Sequence, residues 1–220
     1  STTNTTTPKG NGQGTAGTTQ NNQKEAGDPI IIPTGNFFRE EIDLPSTRKD
    51  SVLYFTRFYN SLSANSDGIF GGGWSYRFNM KIAEVRDGAV VVWEDGKTHY
   101  YRKKKDRFVR PPATPNELTR DRNGAYFLTT PQKVVYAFDS PYHKNLTRIS
   151  DPLGTLYELE YDKITKTLTK ITDRWGDWVK FTYNAISKVN QLEDSAGRKV
   201  TYKYSRLKGL LASVVDVLGD

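Results

Sequence analysis

The sequence predicts an all-β fold, and two observations support that prediction. In the last third of its 220 residues one motif recurs at a fixed period, and ahead of it short β-rich runs alternate with Asp-Gly and Asn-Gly pairs. No segment carries apolar residues at the spacing of a helix face, whereas several alternate apolar and polar residues as half-buried strands do. A period of about 20 residues is typical of repeat proteins, in which each unit buries its apolar face against its neighbours.

The recurring motif is Leu-x-x-Ile-x-Asp-x-x-Gly, followed by an alternating run that ends in Tyr. It is present in three complete copies and begins a fourth, and its aspartates are 22, 21 and 22 residues apart. The repeated positions are Asp151, Gly154 and Tyr161, then Asp173, Gly176 and Tyr183, then Asp194, Gly197 and Tyr204, and finally Asp216 and Gly219. The shared spacing predicts that every copy forms the same structural unit.

Each unit is predicted to consist of two strands and two turns. An aspartate three residues before a glycine favours a type I turn, because the carboxylate bonds the backbone two residues on and glycine tolerates the fourth position. The run that follows alternates, so Val179, Phe181 and Tyr183 share one face in the second copy. The segment before each aspartate spaces its apolar residues three apart, which predicts a short strand with a bulge or a strong twist.

Composition divides the chain into three regions. Residues 1–27 contain no Leu, Ile, Val or aromatic residue and are rich in Thr, Asn, Gln and Gly, so a disordered tail or linker is expected there. Residues 28–145 are predicted to form an N-terminal β domain built as a meander. Residues 146–220 hold the repeats.

Local patterns predict individual strands and hairpins in the N-terminal β domain. Residues 52–59 are apolar on nearly both faces, which is typical of a strand covered on two sides. Residues 74–82 alternate regularly, so one half-buried strand is expected there. Its buried face would carry Trp74, Tyr76, Phe78, Met80 and Ile82. Hairpin turns are expected at Asp87-Gly88, Asp95-Gly96 and Asn123-Gly124.

The composition also excludes several classes of protein. No apolar run approaches the ~20 residues of a membrane-spanning helix, and residues 1–27 lack the apolar stretch of a secretory signal. Because the chain contains no cysteine, it forms no disulfide and no thiolate metal site. The formal net charge of +7 favours acidic partners only weakly, since the basic residues are spread over many strands.

Three short motifs lie ahead of the repeats. They are Gly27-Asp28-Pro29-Ile30 with Thr34-Gly35-Asn36-Phe37, then Phe55-Thr56-Arg57-Phe58-Tyr59-Asn60-Ser61, and then Gly71-x-Gly73-Trp74-Ser75. Together with the repeat that ends in Tyr161-Asp162, they resemble the rearrangement-hotspot (Rhs) or YD-repeat proteins, relatives of bacterial insecticidal toxin-complex components and animal teneurins. The resemblance extends over residues 27–220. Its motif positions are Asp28, Pro29, Gly35, Phe37, Arg57, Tyr59, Asn60, Gly73 and Trp74.

This resemblance implies that the repeats spiral into a hollow β-cocoon, with the N-terminal β domain at or near one end. Such a shell would enclose a C-terminal toxic domain and help to deliver it in competition between bacteria. The implied partners are the remainder of the shell, the enclosed toxin and secretion-system delivery proteins. The implied location is outside the producing cell, in a target cell or at a cell surface.

Members of the family release the toxin by self-cleavage, through acidic residues in a segment that closes the shell. The segment Asp151-Pro152-Leu153-Gly154 is similar to a fragment of that closing segment. It lies in phase with the repeat turns and lacks the surrounding residues, so no cleavage role is assigned to it. The Asp of the Tyr-Asp pair is replaced by Asn184 and Ser205 in later copies, which is compatible with a turn position.

Other motifs are better explained by structure than by chemistry. Gly96-Lys97-Thr98 is similar to the end of a phosphate-binding loop, but the first glycine of that loop and a following helix are missing, which favours a hairpin turn. The repeated aspartates offer one carboxylate per copy, whereas calcium needs about six to eight oxygen ligands, so turn capping is preferred. The basic run 102–110 is expected on an exposed or edge strand, and single-stranded nucleic acid is a disfavoured partner.

The sequence contains no recognisable catalytic, metal-binding or cofactor-binding constellation. Its only histidines, His99 and His143, are far apart, and no nucleophile elbow or zinc-protease motif is present. The chain is therefore predicted not to be an enzyme, to need no cofactor, and to leave any toxic activity to a further domain.

Two alternatives remain open. In the first, the aromatic strands form a surface module that recognises carbohydrate or protein, which solvent-facing clusters of Trp74, Trp93 or Trp175 would favour. In the second, the basic run 102–110 binds single-stranded nucleic acid.

The chain end leaves a further choice, because the sequence stops after the fourth turn and before its strand. An open strand end is a template for pairing, so either a truncated product or a sheet continued by a partner chain is expected.

Overall fold

A computed structural model of the chain describes residues 30–31, 37–48, 53–205 and 209–216. These residues form eighteen strands and one 3₁₀ turn (Ser61–Ser63), with no α-helix among them, so the predicted all-β fold is confirmed. The strands are β1 (Ile30–Ile31), β2 (Phe37–Leu44), β3 (Phe55–Asn60), β4 (Trp74–Tyr76), β5 (Lys81–Val85), β6 (Gly88–Val92), β7 (Thr98–Lys104), β8 (Arg107–Val109), β9 (Glu117–Arg120), β10 (Tyr126–Thr129), β11 (Val135–Phe138), β12 (Arg148–Asp151), β13 (Gly154–Tyr161), β14 (Leu168–Asp173), β15 (Trp178–Tyr183), β16 (Val189–Asp194), β17 (Lys199–Tyr204) and β18 (Leu211–Val215).

The strands form three antiparallel sheets. The N-terminal sheet contains β1 to β4, the middle sheet contains β5 to β8, and the repeat sheet contains β9 to β18. Within each sheet, strands that are adjacent in space are also adjacent in sequence. The chain is therefore a succession of hairpins. Asp95-Gly96 lies between β6 and β7 and Asn123-Gly124 between β9 and β10, whereas Asp87 ends the turn after β5 and Gly88 begins β6.

The pairing between successive repeat units has a bulge at a constant place. In the pairing of β13 with β14, Thr169 is left out of the register. Asn190 is left out where β15 meets β16, and Ala212 where β17 meets β18. These three residues occupy the same position of successive copies, so the bulge predicted from the three-residue spacing is confirmed.

The repeated aspartates cap the turns that join the two strands of a unit. Oδ1 of Asp173 accepts hydrogen bonds from the backbone N–H of Trp175 at 2.9 Å and of Asp177 at 3.0 Å. The backbone carbonyl of Asp173 accepts from Gly176 N at 3.1 Å, which closes the turn. Asp194 accepts in the same way, with the N–H groups two and four residues on. The aspartate side chain thus replaces backbone partners that a turn lacks.

One face of the repeat sheet provides the core of the molecule. Val179 and Phe181 are buried on that face, and Lys180 is exposed on the other, as the alternation predicts. The N-terminal sheet and the residues that follow it cover the apolar face. Phe55 packs against Phe181 with 5.4 Å between ring centroids, so the first residue of β3 lies over the second repeat unit. The apolar face of each unit is therefore buried by its neighbours and by the N-terminal sheet together.

The prediction of one continuous strand over residues 74–82 is wrong. β4 ends at Tyr76, β5 begins at Lys81, and Phe78 between them has a φ of 80°. β4 pairs with β3 whereas β5 pairs with β6, so the chain crosses here from the N-terminal sheet to the middle sheet. Phe78 and Met80 are buried all the same. The alternation of apolar and polar residues therefore predicted which side chains are buried, but not which strands pair.

Some predictions lie outside the described residues. They are the tail 1–27, the motif positions Asp28, Pro29 and Gly35, and the last repeat glycine, Gly219. The division into domains at residue 145 stays a prediction. The repeat sheet already begins at β9, so the sheet itself does not change at that residue.

Gly176→Val is expected to lower the free energy of unfolding by about 1–3 kcal/mol, because β-branched residues avoid positive φ. Gly176 has a φ of 89°, and a Cβ there would meet nothing within 4 Å, so the cost is conformational and not steric. Gly176→Asn is the matched control, since asparagine tolerates this conformation. Urea denaturation should show a smaller loss for asparagine. Equal losses would show that the left-handed conformation is not what glycine contributes.

Candidate functional site

The N-terminal sheet meets the repeats at a buried group of charged and hydroxyl side chains. Arg57 on β3 donates from Nε to Oδ2 of Asp43 at 2.5 Å and from Nη2 to Oδ1 at 2.8 Å. Asp43 lies near the end of β2, and its Oδ2 also accepts the hydroxyl of Tyr202 on β17 at 2.5 Å. Asp43, Arg57 and Tyr202 are called the ion-pair cluster below. It links two strands of the N-terminal sheet to the third repeat unit.

Aromatic rings shield the ion-pair cluster from solvent. The guanidinium carbon of Arg57 lies 4.3 Å from the ring centroid of Trp74 and 5.8 Å from that of Phe70. Arg57 is only 2 % exposed and Asp43 6 %. Burial by itself lowers the pKa of Arg57, but the hydrogen-bonded Asp43 carboxylate more than offsets this, so the pKa of the guanidinium is raised. The guanidinium of Arg57 therefore stays charged, and removing either partner would leave the other buried alone.

Tyr202 differs from the equivalent residues of the other copies at the position that faces this pair. Those equivalents are Leu159 in the first copy and Phe181 in the second, neither of which carries a polar atom on its side chain. Phe181 faces the apolar Phe55, whereas Tyr202 faces a carboxylate. The hydroxyl is therefore present in the one copy where the N-terminal sheet offers an acceptor.

Tyr157 shows the same kind of matching in the first unit. Its equivalents in the next two copies are Val179 and Val200. The Tyr157 hydroxyl accepts a hydrogen bond from Nη2 of Arg77 at 3.0 Å, and its ring contacts Phe78 with 5.0 Å between centroids. Arg77 and Phe78 lie in the crossing between β4 and β5. The first unit is thus adapted to the crossing as the third is adapted to β3.

A glycine-rich loop ahead of β4 docks on the later units. Lys188 is buried at the start of the third unit, where its ammonium group donates to Asp67 and, at 2.8 Å, to the carbonyl of Gly68. Gly71 has a φ of 89°, and a Cβ there would lie 3.0 Å from the carbonyl oxygen of Gly209. The loop can approach the repeats this closely only because it lacks side chains at this point.

The motif residues of the N-terminal sheet support the same arrangement. The ring of Tyr59 lies 5.9 Å from that of Phe37 and 5.3 Å from that of Trp74. Asn60 N donates to the carbonyl of Gly73 at 2.9 Å. A Cβ on Gly73 would come within 2.7 Å of the Tyr59 ring, which explains the need for glycine. The described motif positions therefore converge on β3 and its neighbours.

A tyrosine ladder runs through the complete repeat units. In each unit a tyrosine hydroxyl donates to the backbone carbonyl of the residue that begins the same unit. The bonds are Tyr161 to Leu146 and Tyr183 to Leu168, each 2.7 Å, and Tyr204 to Val189, 2.6 Å. Burial raises the pKa of all three hydroxyls. They therefore remain protonated donors at neutral pH.

The repeated turns carry ion pairs. Arg174, in the turn of the second unit, donates from Nη2 to Oδ1 of Asp151 in the first at 2.6 Å, and this hydrogen bond lowers the pKa of Asp151. Within the described part of the chain, no group of three or more His, Asp or Glu side chains could hold a metal ion. The aspartates contact backbone and arginine, which is the turn-capping role preferred from the sequence.

The remaining sequence candidates lie apart from the ion-pair cluster. The basic residues 102–107 are exposed on β7, β8 and the turn between them, and β8 is an edge strand of the middle sheet. Lys97 lies in the turn between β6 and β7, where its carbonyl accepts from Trp93 N at 2.8 Å. Trp74 and Trp93 are half-buried, and Trp175 is 44 % exposed. No helix in the described residues is long and apolar enough to cross a membrane.

Sequence reasoning missed Asp43, Tyr202, Arg77 and Tyr157. Arg57 was singled out as a motif residue, but its partners were not. A usable signal existed for the two tyrosines, because each replaces an apolar residue of the repeat by a residue with a hydroxyl. No signal of comparable kind marks Asp43, which resembles any acidic residue at a strand end.

Comparisons with known proteins find one family match and several relatives. Residues 27–101 match a family described as a domain of unknown function, DUF6531. The chain is 32 % identical over 125 residues to the tRNA nuclease WapA of Bacillus subtilis (strain 168) and to the tRNA(Glu)-specific nuclease WapA of Bacillus subtilis subsp. natto. The tRNA3(Ser)-specific nuclease WapA of Bacillus spizizenii is also 32 % identical over 125 residues. Each alignment covers 52 % of this chain and 5 % of the relative, so the chain spans a small part of these proteins.

Arg57→Met is expected to lower the free energy of unfolding by about 3–5 kcal/mol, because the Asp43 carboxylate would remain buried without its countercharge. The double variant Asp43→Leu with Arg57→Met should recover much of that loss, since it removes both charges. Arg39→Met, at a half-exposed side chain of β2, is the control and should change little. Denaturant midpoints measure all three variants. A double variant no better than Arg57→Met would show that the charges are not the source of the loss.

Alkaline conditions are expected to destabilise the protein above about pH 10, where tyrosines of the unfolded chain lose their protons. Because the folded hydroxyl of Tyr183 has a raised pKa, its contribution is complete below that pH and is lost as the pH rises further. Tyr183→Phe should lower the free energy of unfolding by about 1–2 kcal/mol at neutral pH, because the Leu168 carbonyl loses its partner. The stability of this variant should then fall less than that of the unmodified chain as the pH rises. Urea titrations between neutral and alkaline pH test this.

Tyr142→Phe is the matched control for the alkaline experiment, because Tyr142 is 59 % exposed. The free energy of unfolding of this variant should change with pH in parallel with that of the unmodified chain. A Tyr183→Phe profile that is also parallel would contradict the assignment of the raised pKa to burial of this hydroxyl.

Proposed function

We propose that this chain is the structural N-terminal part of an Rhs-type toxin, forming the first part of a YD-repeat shell. The proposal rests on the incomplete burial of apolar side chains in the fourth unit. Val189 and Leu192 are fully buried in the third unit, whereas Leu211 and Val214, at the same positions of the fourth, are half-buried. One further hairpin in phase with the others would cover them, as each unit covers the one before it.

The free edge of the repeat sheet supports the same proposal. Within the described residues β18 pairs with β17 on one side and with no strand on the other. An edge of this kind accepts another strand through its backbone N–H and C=O groups. A shell that grows by addition of further hairpins uses this edge.

The proposed role is enclosure and delivery of a toxic domain, and not catalysis by these residues. The similarity to nucleases supports a link to toxin-like proteins, and the matched segment is 5 % of their length. Toxic activity would therefore belong to a different part of the protein. Secretion-system components are proposed as delivery partners, and the proposed site of action is a target cell or a cell surface.

Recognition of carbohydrate or protein is the second candidate function, and the tryptophans favour the container over it. Trp74 packs on the guanidinium of Arg57, and the Trp93 indole donates to Nδ1 of His99 at 2.9 Å. Trp175 is the exposed one of the three. One exposed tryptophan beside a turn is not the solvent-facing tryptophan cluster that would favour this candidate.

The native gene product tests the proposal directly. It would be isolated with antibodies against this chain, sized by mass spectrometry, and examined by electron microscopy and limited proteolysis. The expected result is a product longer than 220 residues, seen as a hollow particle that protects a C-terminal segment from protease. A product that ends at residue 220 and behaves as a compact monomer would overturn the proposal.

Adding one more strand in phase should stabilise the chain. Because position 220 is equivalent to Arg198, a second copy of residues 199–205 appended after it continues the repeat. Covering Leu211 and Val214 should raise the free energy of unfolding by about 1–3 kcal/mol, from about 1.5–3 kcal/mol per buried side chain less the cost of ordering the strand.

The matched control for this extension carries Ser at the positions copied from Val200, Tyr202 and Tyr204. It has the same length and backbone but no apolar face, so no stabilisation is expected. Urea denaturation of the two extended chains measures the difference. Equal stability of the two would contradict an in-phase continuation of the sheet.

A further inference from the structure

A groove lies between the N-terminal sheet and the middle sheet, on the side of β3 opposite to the ion-pair cluster. Its volume is about 520 Å³, and its walls include Phe38, Phe58 and Trp93 together with carboxylates of Glu40, Glu94 and Asp95. Because side chains alternate along β3, Phe58 faces this groove while Arg57 faces the repeats. These residues are called the aromatic–acidic groove below.

The aromatic walls of the groove are held in place by the sheets. Phe58 pairs across the N-terminal sheet with Glu40, and Phe38 lies two residues from Glu40 on the same face of β2. The rings of Phe38 and Phe58 are stacked, with 6.2 Å between centroids and an interplanar angle of 22°. The Trp93 ring is fixed by its hydrogen bond to His99 and by an edge contact with Tyr136, 5.8 Å between centroids. A ligand would therefore meet preformed ring surfaces.

The charge of the groove is opposite to that of the chain. Three carboxylates and one ammonium group, from Lys97, line it, so the groove is negative although the chain has a formal net charge of +7. Oε2 of Glu94 accepts the backbone N–H of Phe78 at 2.8 Å, which fixes this carboxylate at the groove. Glu40 is exposed and has no such anchor. Ring faces are attractive to cations, as carboxylates are.

We propose that the aromatic–acidic groove binds an organic cation of the alkylammonium class. The ring quadrupole attracts a cation over an aromatic face, and nearby carboxylates add Coulombic attraction in a partly desolvated site. The groove would repel anions for the same reason. A lysine side chain of a bound peptide and a free alkylammonium compound share this chemistry, and the experiment separates them.

The experiment titrates the full chain with choline by calorimetry at constant ionic strength. The neutral compound 3,3-dimethylbutan-1-ol, which has the shape of choline without its charge, is the matched ligand control. Choline is expected to bind at least roughly fivefold more tightly than the alcohol, as charge-dependent cation–π recognition requires. Equal binding of both compounds, or stronger binding of a neutral sugar such as glucose, would overturn the proposal.

Two variants locate the binding. Glu40→Gln removes an exposed charge at the groove and should lower the affinity for choline roughly threefold. Trp93→Leu should lower that affinity roughly tenfold. Glu158→Gln, at an exposed carboxylate on β13, is the control and should bind as the unmodified chain does. Thermal melting checks that Trp93→Leu folds. If it does not fold, Glu40→Gln decides, and unchanged affinity in that variant would overturn the proposal.

A peptide arm separates the two sources of the cation. The peptide acetyl-Gly-Lys-Gly-amide and its Nε-acetyl-lysine counterpart differ in charge at one atom. Tighter binding of the lysine peptide than of choline would assign the groove to a protein partner, and tighter binding of choline to a free compound. Binding of both peptides with equal affinity would contradict a cation site.

Discussion

The buried pair of Asp43 and Arg57 is the constraint on which the arrangement of the sheets depends. Removing two charges from water costs several kcal/mol for each ion, and only well-placed partners offset this. Here the partners come from different parts of the chain, with Trp74 from the N-terminal sheet and Tyr202 from the third repeat unit. Apolar contacts between two sheets tolerate sliding, whereas an ion pair whose carboxylate also accepts a tyrosine hydroxyl does not. The pair therefore fixes the third repeat unit beneath Arg57 of β3.

The repeat units are alike in backbone and different where they meet the N-terminal sheet. Every complete unit keeps the turn glycine and the tyrosine ladder, because these satisfy its own backbone, and the bulge recurs in the second, third and fourth units. The face toward the N-terminal sheet varies, and polar groups occur on it where Arg57 and Arg77 approach. A uniform array would place a leucine or phenylalanine opposite Asp43 and leave its carboxylate with one partner fewer. Variation within the repeat is therefore specific to position.

The sequence was sufficient for the features that local chemistry decides. The aspartate–glycine turns, the bulges and the buried face of β15 followed from spacing alone, because each depends on residues a few positions apart. The break at Phe78 did not follow, since alternating burial continues through it and only the change of sheet interrupts the strand. The partners of Arg57 could not be derived either. Asp43 and Tyr202 are 14 and 145 residues away in sequence, and only the packing of two sheets brings them together.

The tyrosine ladder makes one hydrogen bond of each repeat independent of the neighbouring repeats. Because the Tyr183 hydroxyl bonds the Leu168 carbonyl of its own unit and not that of a neighbour, a unit satisfies this acceptor whatever precedes or follows it. Duplication or loss of one whole 21- or 22-residue segment beyond the third unit would therefore leave every such bond intact. Unequal recombination in steps of one whole segment therefore changes the number of units without changing the strands that carry this hydrogen bond.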